Sequence, residues 1–183
     1  MAATPSKMTP LGSILPNFNL LDTVSGINKS IDDLKSPKAT VVIFICNHCP
    51  FVHHISSAFA EIAKNYQNKG VSFIAISSND IENYPADAPE LMTEFAKKEN
   101  YTFAYLYDED QSVAKAFGAE CTPDLFVYDK DLKLAYRGRF DETRPNMGIA
   151  SGKDLIEALD KLLETGVCQE DQLPSIGCNI KWK

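Results

Sequence analysis

Residues 38–54 read KATVVIFICNHCPFVHH. The first nine are a dense β-branched run, as expected of a strand buried on both faces and therefore central in its sheet. From Cys49 the pattern changes: Val52, Ile55, Phe59, Ile62, Ala63 and Tyr66 recur at three- and four-residue steps as far as Asn68-Lys69-Gly70. This predicts a helix over 49–68 with Gly70 at its end. The CNHC segment therefore falls on a strand-to-helix turn at a strand's carboxyl end, where ligands and reactive groups collect in open α/β sheets.

Outward from this unit, short apolar runs alternate with amphipathic stretches. VSFIAISS (71–78) reads as the next strand, DAPELMTEFAKKEN (87–100) as a helix and TFAYLYD (102–108) as a short strand. DEDQSVAKAFG (108–118) reads as a helix with an acidic first turn and a terminal glycine. The run 125–140 splits around Asp129-Lys130-Asp131 into two alternating halves, a β-hairpin. SGKDLIEALDKLLETG (151–166) is a closing helix with Ser151 as its cap and Leu155, Ile156, Leu159, Leu162 and Leu163 as its apolar stripe. Upstream, residues 18–34 suggest an extra hairpin ahead of the core, and the tail from 167 to 183 has no period. The expected fold is a single α/β domain over 1–183, its core spanning about 10–166, with a central mixed sheet flanked by helices.

Composition narrows the function. The chain has 183 residues, 44% apolar and 23% charged, which suits one soluble globular domain. A formal charge of -7 without a long basic run argues against a nucleic-acid surface. The amino terminus carries no signal-like apolar core, and the longest apolar run, Val41 to Cys46, is too short to span a bilayer. The expectation is a cytoplasmic protein without a membrane partner. There, five cysteines point to catalysis or metal binding before a disulfide framework.

Two of those cysteines and all three histidines lie within 44–54. The nucleophile of thiol chemistry is the thiolate, and the unpaired N–H groups at a helix start favour negative charge. Cys46 lies just before that start, and Pro50 suits the first helical turn. A C-x-x-C pair on such a turn can close a small disulfide, and His48 between the two can stabilise the Cys46 thiolate. Two other readings use the same residues. In one, Cys46, Cys49, His48 and His53 hold zinc or copper(I) in a metal-binding or metallochaperone module. In the other, the cysteines are small buried hydrophobes.

From LPNFNLLDTVSG (15–26), VVIFICNHCP, GVSFIAISSND, YDEDQSVAKAFGAECTPDLFVYD and the IGCNIKW tail, the chain resembles the thioredoxin-fold redoxin superfamily. Within it the chain is most similar to the peroxiredoxin-like group with a CNHCP motif. The resemblance implies a thioredoxin-like fold with an N-terminal hairpin extension and an irregular tail. It also implies a thiol-disulfide oxidoreductase in cell redox homeostasis. By position, Cys46 matches the attacking cysteine, Cys49 the resolving one, and Thr122-Pro123 the cis-proline step that offers backbone groups to an extended substrate. Asp80 falls where related reductases place a proton-moving carboxylate, although a turn or helix cap is an equal reading. Arg139, with Arg137 and Arg144, is placed to receive an anionic group such as the glutathione carboxylates, or to pair with Asp141 and Glu142.

The resemblance implies no cofactor and no resident metal. Partners would be a protein or small-molecule thiol or disulfide, with the thioredoxin or glutathione system as electron source. Its second implication is a peroxiredoxin-like thiol peroxidase centred on Cys49-Pro50, in which Cys46 stands in the place of that family's Thr/Ser. Cys121, Cys168 and Cys178 are each read as a buried or inert thiol, with an additional relay thiol as the alternative.

Overall fold

The computed structural model describes residues 3–169 and 171–183. In chain order its elements are β1 (Ala3–Pro5), β2 (Asn19–Asp22), β3 (Ile27–Ser30), α1 (Ile31–Leu34), β4 (Ala39–Phe44), α2 (Pro50–Gln67) and β5 (Val71–Ser77). They continue with a 3-10 turn (Pro85–Asp87), α3 (Pro89–Lys98), β6 (Ala104–Tyr107), α4 (Ser112–Phe117) and β7 (Cys121–Thr122). The chain closes with β8 (Asp124–Asp129), β9 (Leu134–Gly138), α5 (Lys153–Thr165) and β10 (Ile176–Asn179).

Seven strands form a mixed sheet in the order β3-β2-β6-β5-β4-β8-β9, with β4 and β5 parallel and β4 and β8 antiparallel. β4 sits inside it, and all six of its residues are buried. Its alternation divides the core in two, because successive side chains point to opposite faces. Val41 and Ile43 join the apolar cluster containing α2 residues Val52, Ile55 and Phe59 and α5 residues Leu155 and Leu159. Val42 and Phe44 join the other, where Phe117 of α4 and Ile31 pack. Phe59 is 1% exposed and meets Phe73 and Phe103 edge-on. Burying one such ring contributes about 1.5–3 kcal/mol, enough to fix the roll of α2 on the sheet.

Several local expectations change. The upstream hairpin is not separate from the core: β2 pairs with β6, so β2 and β3 form one edge of the main sheet. Ser151 does not cap α5; Gly152 holds that position at φ 68°, and Asp141 accepts the Ser151 and Gly152 backbone N–H groups at 2.6 and 2.8 Å. The acidic segment before α4 lies outside it. Buried Asp108 accepts the Val113 and Ala114 N–H groups at 3.2 and 2.9 Å. The tail, otherwise irregular, contains β10, which pairs with β1 and β7 in a second sheet ordered β1-β10-β7. No helix among the described residues is long and apolar enough to cross a membrane.

Candidate active site

β4 ends at Phe44 and α2 begins at Pro50, so the four-residue CNHC turn lies at the carboxyl end of a central strand. Cys49 is the N-cap of α2 in extended conformation, and Pro50 occupies the first turn, where a missing N–H leaves no hydrogen bond unmade. The Thr122-Pro123 peptide is cis and lies against this turn. Cys46 Sγ is 3.5 Å from Thr122 Oγ1, and the Cys49 thiol donates to the Thr122 carbonyl at 3.2 Å. Thus Cys46, Cys49, Thr122 and Pro123 are brought together. Both sulfurs are covered, at 1% and 0% exposure, so a reagent reaches them only through movement of the surrounding turns or by being small.

The two thiols do not titrate alike. A hydrogen bond from the Cys46 thiol is the main force holding Cys49 down to about 5, against burial, with help from Thr122, Cys178 and the Val52 backbone. The same hydrogen bond, together with burial and the Asp87 charge, pushes Cys46 well up. The pair therefore retains one proton at neutral pH.

The carboxylate that organises this end of the sheet is Asp87, in the 3-10 turn before α3 and fully buried. It accepts the Asn47 backbone N–H at 2.7 Å and Asn79 Nδ2 at 2.8 Å. His48 Nδ1 lies 2.7 Å from Asp87 Oδ2, the oxygen that also accepts from Asn79, but off the line of the ring N–H, so the attraction is ionic more than directional. His48 also stacks on Tyr84 with ring centroids 5.7 Å apart. The contact with Asp87 raises the His48 pKa above the ordinary 6.5, against partial burial. Burial pushes Asp87 up, but His48 and Asn79 outweigh it and hold it below 3.8.

The signs define a pH window. His48 contributes stability that is full below 6.5 and is lost as pH rises through its raised folded value. Asp87 contributes stability that is present above 3.8 and is lost as pH falls through its lowered value. The ion pair thus stabilises most between those limits. Asp87→Asn is expected to bring the His48 titration, followed by NMR of the ring protons, down toward 6.5. An unchanged midpoint would show that Asp87 does not set it.

Asp87 was not singled out from sequence. Its signal is an acid between Pro85 and Pro89 after the strand next to β4. Asp80 closes a turn, one of its two expected readings, accepting the Glu82 backbone N–H at 3.0 Å and Asn83 Nδ2 at 2.6 Å. The arginines pair differently from the expected Asp141 and Glu142. Arg137 is fully buried in a bidentate pair with Asp124, and Arg139 Nε bonds Asp154. Exposed Arg144 lines a cavity of about 200 Å³ bordered by Phe51, Pro123 and Arg139. His53 is exposed and packs edge-on against Phe95, while His54 Nε2 lies 2.8 Å from Thr143 Oγ1. Among the described residues, the group able to share a metal ion is Cys46, His48 and Asp87, with ligand atoms within 4.8 Å of one another; His53 is not part of it.

The tail is a strap over this end of the sheet. Lys181 N–H donates to Asn79 Oδ1 at 2.8 Å, and the Lys181 carbonyl accepts from Gln111 Nε2 and the Asp80 backbone N–H, both at 2.8 Å. β10 pairs antiparallel with β7, setting Cys178 opposite Thr122. The strand edge expected to receive an extended substrate beside Pro123 is therefore already paired with the chain's own tail.

Solved structures of similar shape place the fold among the thioredoxin-fold redoxins. An uncharacterized conserved protein from Geobacillus kaustophilus is 52% identical over 100% of this chain and 97% of its own, with a TM-score of 0.97. A secreted Mycobacterium tuberculosis disulfide oxidoreductase is 22% identical over 64% of this chain and 79% of its own, with a TM-score of 0.54. Peroxidoxin BcpB from the same organism is 20% identical over 85% and 98%, with a TM-score of 0.62. The AhpC/TSA family model matches residues 11–137, and the chain belongs to that family. No curated protein matches it.

Proposed function

We propose that the protein is a thiol-disulfide oxidoreductase whose Cys46 and Cys49 cycle between dithiol and disulfide. The observation that carries this reading is the placing of both thiols on one strand-to-helix turn at a helix N-cap, against the cis Thr122-Pro123 peptide. In the first step the Cys46 sulfur attacks a substrate disulfide while its proton passes to the Cys49 thiolate. A Cys46–substrate bond forms, the substrate S–S bond breaks, and one substrate half leaves as thiolate. In the second step Cys49 gives its proton to that thiolate and attacks the Cys46 sulfur. The second half leaves as thiolate, so the substrate gains two electrons and the pair loses two. Asp87 disfavours negative charge at Cys46, His48 interacts with the charge at Cys49, and Thr122 contacts both sulfurs.

The covered sulfurs and the tail on the β7 edge favour a small substrate over a folded protein, and Arg144 beside Pro123 favours an anionic one, as glutathione disulfide is. A thioredoxin-type dithiol would return the electrons in a cytoplasmic setting. A second reading, a thiol peroxidase, draws on the low Cys49 pKa ahead of Pro50 and on a site that a molecule as small as peroxide can enter. One experiment separates the two. The reduced protein is exposed to glutathione disulfide or to one equivalent of peroxide, and each cysteine is mapped by mass. Exchange predicts a Cys46–Cys49 disulfide with glutathione disulfide and slow, bulk-thiol oxidation by peroxide. Rapid sulfenic acid formation at Cys49 with no reaction toward glutathione disulfide would replace exchange by peroxidase chemistry.

A further inference from the structure

We infer that Cys178, on the C-terminal strap, is a third redox thiol that takes Cys49 from the Cys46–Cys49 disulfide. The oxidised chain would then exchange between two internal disulfides; this rests on the dithiol reading above.

Thr122 is the hub of the geometry. Its carbonyl and hydroxyl touch the two active sulfurs at 3.2 and 3.5 Å, and its antiparallel partner in β10 is Cys178. Cys178 and Cys49 belong, with Cys46, to one buried apolar cluster, and the Thr122 that Cys178 faces across the ladder is the residue whose carbonyl Cys49 bonds. The other two cysteines point elsewhere: Cys121 toward the Pro123 carbonyl at 3.7 Å, and Cys168 toward the Ala158 carbonyl at 3.4 Å.

The approach of β10 is built into the sequence. A Cβ at Gly177 would lie 2.0 Å from the Thr122 carbonyl oxygen, so only glycine lets the strand come this close. The strap is fixed on both sides of Cys178. Ser6 N–H donates to the Ser175 carbonyl at 2.8 Å, Ile180 N–H to the Glu120 carbonyl at 3.1 Å, and Lys181 N–H to Asn79.

In the exchange, Cys178 loses its proton and its sulfur attacks Cys49 Sγ. The Cys49–Cys178 bond forms, the Cys46–Cys49 bond breaks, and Cys46 leaves as thiolate and takes the proton. Electrons are only redistributed among three sulfurs, so no external oxidant is needed. In the reduced protein, burial and then the hydrogen bond and charge at Cys49 hold the Cys178 thiol up at about 12. Oxidation of Cys49 removes the last two effects, so Cys178 becomes more reactive once the first disulfide exists.

The test oxidises the wild type, Cys46→Ser, Cys46→Ala and Cys178→Ser with glutathione disulfide, blocks free thiols by alkylation and maps every cysteine. Wild type is expected to contain both the Cys46–Cys49 and Cys49–Cys178 disulfides, and Cys178→Ser only the first. Both Cys46 variants should form Cys49–Cys178 and release glutathione. Glutathione retained on Cys49 beside an alkylated Cys178 in those variants would overturn the third-thiol assignment, while a wild-type Cys46–Cys49 bond would leave the dithiol reading intact. The reverse pattern, Cys49–Cys178 in the variants and no Cys46–Cys49 bond in the wild type, would overturn the dithiol reading and keep the third thiol.

Discussion

Cys46→Ser is expected to lower catalysed reduction of glutathione disulfide on the order of 10³-fold or more, as loss of a nucleophile does elsewhere, leaving only the slow oxidation of Cys49 and Cys178 on long incubation. The variant removes the attacking sulfur, but a serine hydroxyl can still donate to Cys49; the companion variant Cys46→Ala also removes the hydrogen bond that holds Cys49 near pKa 5. Its remaining thiolate should therefore titrate higher, which thiolate absorbance against pH would read. Cys49→Ser should behave differently. Cys46 can still attack a disulfide, but Cys49 is no longer there to resolve the product, so glutathione should accumulate on Cys46 as a stable mixed disulfide. Turnover in Cys46→Ser close to that of the wild type would place the chemistry elsewhere in the chain.

Arg137→Met is expected to destabilise the fold by about 3–5 kcal/mol, the cost of leaving a buried charge uncompensated. Arg137 and Asp124 are both fully buried, with Arg137 Nη2 to Asp124 Oδ2 at 2.9 Å and a further bond from Nη1 to the Leu125 carbonyl at 3.0 Å. The guanidinium also lies 3.8 Å over the Phe126 ring. At roughly 2–4 °C per kcal/mol for a chain of this size, the melting temperature should fall by about 10 °C. Adding Asp124→Leu should recover most of the loss, because the penalty lies in the orphaned charge and not in the missing contact. A single-variant loss below about 1 kcal/mol would contradict this. The pair also matters to the site, since Asp124 follows Pro123 and accepts the Glu120 backbone N–H at 3.0 Å, bracing the loop that faces the cysteines.

What was legible in the sequence had a strong local period. β4 and α2 carry six consecutive buried residues and a regular apolar stripe, so their register followed from letters, and the place of the CNHC turn followed from theirs. The cap of α5 did not, because the carboxylate that meets its first N–H groups is Asp141, ten residues before Ser151. β10 is four residues long and includes Gly177, so no alternation marks it. Its strand character comes from pairing with β1 and β7, which are short themselves. Asp80 and Asp87 both follow β5, and composition does not say which one turns inward. The structure turns Asp87 toward Asn47 and His48 and leaves Asp80 closing its own turn. The arginines likewise found carboxylates on other elements, Asp124 on β8 and Asp154 on α5, where local spacing had suggested Asp141 and Glu142.

The measurement to make is the redox equilibrium of the pair. The protein is brought to equilibrium in glutathione buffers of graded potential, its free thiols are alkylated, and each cysteine is mapped by mass. A reversible two-electron transition at Cys46 and Cys49 is expected, with a midpoint between about −120 and −270 mV, the range of exchange enzymes. If Cys46 and Cys49 stay unpaired at every potential, the CNHC turn is not a dithiol switch.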